Sequence, residues 1–394
     1  MRILCGSSIH YMLALASASS PLALLPCPTT HWGAATAADR PAVVRSPDDF
    51  PRPLHAPAVP DETAWLRDNA ETVMASLQEA GALHLRGFRL PRTKAGFRSL
   101  CEALPLRPCA DPLASIGVRS LLSTSDGIYE AVNAPALSGT FIGLHNDATW
   151  KLTAPVAAFV CFRRAETGGA FLVADGRRIL SELEPSVVAK LCERKVSVRV
   201  AALNAAPLLR LAGPSLREPL SRFVAAAVSA LLGAAVPLGL VVAWADDGHT
   251  LQILERPKPP LNRHPTTGEP TFFSSLHSQS QHLQRRRSSS TLGSVAATDA
   301  FFGDLQPISH AELEHIDDVI MRNVKRIEMQ PGDVVLLDSY QVLHGREPFT
   351  GEREHGVMWL CDGVDDEPEG AAGGPQSTGG VFSSAINRLA VKRK

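Results

Sequence analysis

Apolar residues recur at helical spacing behind Asp61. Leu66, Ala70, Val73, Met74 and Leu77 predict a helix capped by Asp61 and stopped at Gly81. Ala82–Phe88 then reads as a short strand, with Leu83 and Leu85 on one face. Two more strands are predicted at 141–150 and 155–163, a turn at Gly168-Gly169, a strand over Phe171–Ala174, and a helix through Ile179, Leu180 and Leu183. Ser309 and Glu312 match a capping box, and the helix behind them buries Leu313, Ile316, Val319 and Ile320. Pro331-Gly332 signals a turn into the buried strand Val334–Leu337; Val342–His344 ends that hairpin arm, and Gly356–Cys361 returns as the next strand.

One apolar run needs a decision. Phe223–Trp244 carries no charge over 22 positions, long enough to span a bilayer. Gly233, Pro237 and Gly239 interrupt it, which predicts a buried helix ending near Leu232 and a strand at Leu240–Trp244 instead of a stable membrane span.

The ends differ from the middle. The first 38 residues hold no Asp or Glu, are rich in Ser and Ala, and include Ala16-Ser17-Ala18, a candidate cleavage site. Residues 1–38 are expected to be a targeting segment, organellar (plastid or mitochondrion) or secretory; the alternative is a disordered extension of a cytoplasmic protein. Proline-rich 39–60 reads as a linker, 61–362 as the main folded domain, and Gly-, Ser- and Pro-rich 363–394 as a disordered tail.

Among 394 residues, 30 prolines and 29 glycines imply many turns and favour β structure over a helical bundle. The formal net charge of −1 offers no bulk field for nucleic acid or an anionic membrane. Seven cysteines, an odd number with no C-x-x-C pair, argue against a disulfide framework or a cysteine zinc site.

Candidate chemistry begins at His145-Asn146-Asp147. On a strand, positions i and i+2 share a face, so His145 and Asp147 can reach one ion while Asn146 points away. Two imidazoles and one carboxylate on one face of a metal leave positions open for co-substrate and dioxygen, the arrangement of non-haem Fe(II) oxygenases. The tripeptide alone is a weak signal, because a His beside an Asp is common. A second imidazole stands at His344, at the far end of a strongly apolar stretch, and Arg353 follows nine residues on. A guanidinium fork there suits a planar carboxylate; the plainer reading is that Arg346 and Arg353 solvate a loop.

Over roughly residues 60–362 the chain resembles the TauD/TfdA group of Fe(II)/2-oxoglutarate dioxygenases, especially its clavaminate-synthase-like branch. The matching stretches occur in the family's order: Ala82–Phe88, Leu144–Trp150, Thr167–Arg177, His264–Pro270 with Phe272-Phe273, Phe302-Gly303-Asp304, and Gly332–Arg353. The resemblance implies an α+β fold, with a double-stranded β-helix (jelly-roll) core and flanking helices. It implies His145, Asp147 and His344 as iron ligands, and Arg353 as the partner of the distal carboxylate of 2-oxoglutarate. The reaction implied is hydroxylation of an unactivated C–H of a small polar molecule by dioxygen, releasing succinate and CO2. Two positions depart from the pattern. Phe171 stands where the family often has a Thr that helps hold 2-oxoglutarate, and Val357 where a second Arg is common. These departures motivate an alternative, a binding or scaffold protein on the same fold; a zinc hydrolase with the same three ligands is a third reading. Asn133 and Tyr129 fall where relatives place substrate loops. Trp150 and Trp359 are expected in the core, His277 and His355 solvated or hydrogen-bonded, and Asp333 and Asp338 at turns and strand ends.

Overall fold

A computed structural model describes residues 24–33, 35–39, 49–112, 120–149, 151–235, 239–287 and 298–362. The helix predicted behind Asp61 forms as two, Glu62–Asp68 and Ala70–Ala80, broken at Asn69, whose side chain turns back to the Trp65 carbonyl. Asp61 accepts from the Ala64 amide, and Gly81 takes the left-handed conformation that ends the second helix. The capping box at Ser309 and Glu312 is present and starts the helix His310–Asn323.

The centre consists of two sheets. The larger has eight strands, with Val334–Asp338, Val156–Arg163 and Glu354–Asp362 side by side in its middle. The smaller has four, ordered Lys325–Ile327, Phe171–Asp175, Val342–Arg346, Ile142–His145. Strand alternation sorts their side chains into layers. Ala157, Phe159, Val335, Leu337, Val357 and Trp359 of the large sheet form one buried cluster with Phe171, Val173 and Val342 of the small one. The intervening residues of the large-sheet strands, such as Val156, Ala158, Leu336 and Met358, pack with Leu66, Val73, Leu77, Phe97 and Leu100 of the early helices. Leu172 and Ala174 of the small sheet pack with Ile179, Leu313, Ile316 and Ile320 of the helices covering it. The molecule is therefore a mixed α and β fold with helices outside and an apolar layer between sheets.

Two expectations are corrected. Val334–Leu337 and Val342–His344 do not form one continuous hairpin arm that pairs with Gly356–Cys361. The first strand pairs with Ala82–Arg86 and Val156–Arg163, the second with Phe171–Asp175 and Ile142–His145, so the chain crosses between sheets at 339–341. The Asp338 carboxylate ties this crossing by accepting from the Tyr340 and Gln341 amides, and the Asn146 amide holds the Ser339 and Val342 carbonyls. The helix expected to be buried before Leu232 spans Pro214–Ala235 and is largely exposed, with Phe223 69% and Leu231 52% accessible, because among the described residues it rests mainly on the strand Leu240–Trp244 and the short helix Ala206–Leu211. No helix of the described residues is long and apolar enough to cross a membrane. The stretch read as a linker, 39–60, contributes Arg52–His55, a parallel strand beside Ala82–Arg86. The stretch read as a targeting segment, 1–38, joins the fold from Leu24 onward: Leu25 bridges to Cys109, the Thr30 hydroxyl donates to the Thr149 carbonyl, and the His31 amide donates to the Tyr340 hydroxyl. Residues 1–23, the expected tail 363–394 and Trp150 lie outside the described residues.

Candidate functional site

The strand Ile142–His145 is shorter than the sequence suggests, and Asp147 sits just past its end. Asn146 turns away from both neighbours, as period-two alternation requires, and its side-chain Oδ1 accepts from the Ser274 amide. His145 lies opposite His344 on the adjacent antiparallel strand, so pairing alone sets the two imidazoles 4.6 Å apart, ring centre to ring centre. Asp147 fills the gap: its carboxylate stands 3.1 Å from His344 Nε2 and 3.5 Å from His145 Nε2. Ligand atoms of all three lie within 4.8 Å of one another, and Asp147 and His344 are buried.

The tautomer of His145 follows from its neighbour. Its Nδ1 is 2.8 Å from the Gly143 carbonyl, which can only accept, so Nδ1 carries the proton and Nε2 the lone pair. A lone pair facing a buried carboxylate suits a cation held between them. The donor set of two imidazole nitrogens and one carboxylate is one that Fe(II) accepts, so the residues present fit the metal.

The wall beside His344 is aromatic. Phe171 stacks on its ring at 5.8 Å, and Phe159 lies 4.8 Å away, centre to centre. His344 and Arg346 share a face of their strand, and Arg346 pairs with Phe171 across the sheet. Arg346 and Arg353 are both buried, which overturns the reading that they solvate a loop. Each guanidinium lies against the Phe349 ring, 4.7 and 5.7 Å from its centre. Their hydrogen bonds go to neutral groups: Arg346 to the Glu347 and Leu137 carbonyls, Arg353 Nη1 to the Ala131 carbonyl and Asn133 Oδ1. Neither Nε has an acceptor among the described residues. Burial pushes Arg346 down to about 10; burial, then the nearby Arg346 charge, pushes Arg353 down to about 9. Two buried cations with no carboxylate among their hydrogen-bond partners suit an anion, although the Glu130 charge acts on Arg353 from nearby.

Residues 52–360 match the family described as "Taurine catabolism dioxygenase TauD, TfdA family". The chain belongs to this family. As a TauD/TfdA-family protein it is an Fe(II)- and 2-oxoglutarate-dependent dioxygenase, an oxidoreductase. It is 25% identical over 285 residues to the dapdiamide synthesis protein DdaC of Enterobacter agglomerans, covering 70% of this chain and 81% of that protein. Among solved structures it is similar to PvcB of Pseudomonas aeruginosa (TM-score 0.42, 14% identity, covering 74% of this chain and 79% of that one). It is also similar to an asparagine oxygenase in complex with Fe(II), 3-hydroxyasparagine and succinate (TM-score 0.42, 16% identity, covering 76% and 80%).

Other residues singled out in the dioxygenase sequence fall as follows. Asn133 touches Arg353 and also bonds both backbone groups of His355. Tyr129 is buried, its hydroxyl accepting from the Asp111 amide. Trp359 is fully buried in the layer between the sheets, and Val357 lies in the same layer. Asp333 accepts from the Gln330 amide and faces His84. His355 and His277 are buried rather than solvated; the His277 ring is hydrogen-bonded, and His355 is held through its backbone by Asn133. Sequence reasoning missed the partner of His277, Asp317. Its signal was legible: Asp317 lies four residues after Leu313 and three before Ile320, a carboxylate on the buried stripe of its helix.

Proposed function

We propose that His145, Asp147 and His344 hold the Fe(II) of this dioxygenase and that Arg353 receives the distal carboxylate of 2-oxoglutarate. The reaction is hydroxylation of an unactivated C–H bond of a small polar molecule, with release of succinate and CO2. The two facing sheets are read as the halves of a double-stranded β-helix. The convergence of three ligand atoms, from two adjacent strands and the residue just past one of them, within 4.8 Å, carries the proposal.

When bound, the iron supplies the activation of dioxygen and the oxidation. The protein's part is placement. The Gly143 carbonyl fixes the His145 tautomer with Nε2 inward. Asp147 offsets part of the metal's charge. Arg353 is clamped through Nη1 by Ala131 and Asn133, which turns its Nε edge to the co-substrate. Phe159, Phe171 and Val357 line the interior with apolar surface and exclude water from it.

Anaerobic titration of the metal-free protein with Fe(II) and 2-oxoglutarate tests this. A visible charge-transfer band is expected with the wild type and is expected to vanish in His344→Ala. Intact turnover in that variant overturns the triad. A second reading, a binding protein with little turnover, draws on Phe171 and Val357, both buried and apolar at the two departing positions. It requires the same band with no succinate released across a screen of amino acids and other small polar acids.

A further inference from the structure

The strand Ile142–His145 is the last of its sheet, with one strand neighbour, and that pairing shifts register between His344 and Arg346. An element placing His145 and, just beyond it, Asp147 is thus held by an irregular ladder on one side only. Its other edge exposes backbone groups that need partners.

A histidine supplies one. His277 Nδ1 accepts from the Leu144 amide at 2.8 Å, and His277 Nε2 faces Asp317 Oδ1 at 2.9 Å. Because Nδ1 accepts an N–H, it carries no proton, so Nε2 is the donor to Asp317. Arg287 completes the line by donating to both oxygens of Asp317. The His277 side chain and Asp317 are essentially inaccessible, so water does not compete. Space is equally defined: a Cβ at Gly143 would stand 2.7 Å from the His277 carbonyl and from Ser278 Cα.

The Leu144 amide and the Gly143 carbonyl belong to one peptide group. That peptide donates to His277 through N–H and accepts from His145 Nδ1 through C=O. A continuous line of hydrogen bonds therefore runs Arg287, Asp317, His277, peptide 143–144, His145. Accepting the N–H makes the peptide oxygen a better acceptor, which tightens the bond that orients the His145 ring.

We propose that His277 is a positioning residue for the metal centre: by fixing the plane of peptide 143–144 it sets the ring of His145. The inference rests on the ligand assignment above. The test uses Mn(II) alone as probe, titrated into metal-free full-length protein and read by electron paramagnetic resonance, with thermal melting in parallel. His277→Phe keeps ring bulk and removes the acceptor; His277→Gln keeps both an acceptor and a donor. We expect His277→Phe to weaken Mn(II) binding roughly 10- to 100-fold, His277→Gln to recover most of it, and both to melt cooperatively. If His277→Phe fails to fold, Asp317→Asn carries the test and is expected to weaken Mn(II) binding in the same direction. Wild-type Mn(II) affinity in a folded His277→Phe or Asp317→Asn variant overturns the inference. Binding lost in His344→Ala but kept in His277→Phe sinks the positioning role alone. Binding kept in His344→Ala, or absent from the wild type, sinks the ligand assignment and this inference with it.

Discussion

Arg353 shows how much a single residue can be asked to do. Its guanidinium is buried, bonded only to neutral oxygens, and close enough to Arg346 to feel its charge. Such a cation gains from any carboxylate that enters. Arg353→Gln is therefore expected to raise the half-saturating 2-oxoglutarate concentration by about two orders of magnitude, in line with loss of a buried charge pair, while Mn(II) affinity stays unchanged. Asn133→Ala, which frees the Nη1 edge, should raise it by roughly tenfold through loss of a charge-assisted hydrogen bond. Equal loss of metal and co-substrate binding would count against the anchor. The three convergent side chains were readable because chemistry chooses residue types and strand alternation chooses spacing. Asn133, His277 and Asp317 were not read as a supporting set. Their partners are 222, 133 and 40 residues away along the chain, and no local spacing encodes such contacts.

Elements were legible where a local rule decides them. Gly81, the capping box of Ser309 and Glu312, and the buried strand at Val334 each follow from nearby residues. The crossing at 339–341 does not, since an apolar run ending on a His reads equally well as one continuous hairpin arm. What separates the two strands is tertiary: Asn146 takes the carbonyls of Ser339 and Val342 from another strand. The same applies to the helix Pro214–Ala235, whose apolar composition predicts burial that its surroundings do not provide. At this scale Gly345 is the sharpest probe. A Cβ there would collide with the Ile142 carbonyl and press on Gly143, backbone atoms that cannot rotate aside. Gly345→Ala is expected to cost about 1–3 kcal/mol of stability and to separate the His145 and His344 strands. Thermal melting and Mn(II) binding should fall together; an unchanged melting temperature would show that the strands have room to spare.

The whole molecule keeps two histidines neutral in its interior. Burial pushes His277 below its ordinary 6.5 and, with Arg353 and Arg346 adding to the effect, pushes His355 well below it. For Asp317, burial alone would raise the carboxyl, but the bonds from His277 and Arg287 outweigh it and hold it at about 2, so it stays charged. The unfolded chain takes up protons on both histidines as pH falls through 6.5, and the folded chain does so only further down. Stability therefore drops as pH decreases below 6.5. Melting temperatures of metal-free protein are expected to decline from neutral pH toward about pH 5, with a shallower slope in His277→Phe; identical slopes would assign the loss elsewhere.

The two sheets also divide the labour of the site. All three proposed ligands come from the small sheet or the residues just past it, whereas Arg353 opens the strand Glu354–Asp362 of the large one. With the roles proposed above, one end of the keto acid is fixed to each wall, and the apolar layer between them becomes a gauge of carbon-chain length. On that arrangement a dicarboxylic acid one methylene shorter or longer is expected to bind more weakly. Fidelity for a five-carbon co-substrate is then a property of how Phe159, Phe171, Val335 and Val357 pack, residues that need never touch either charged end.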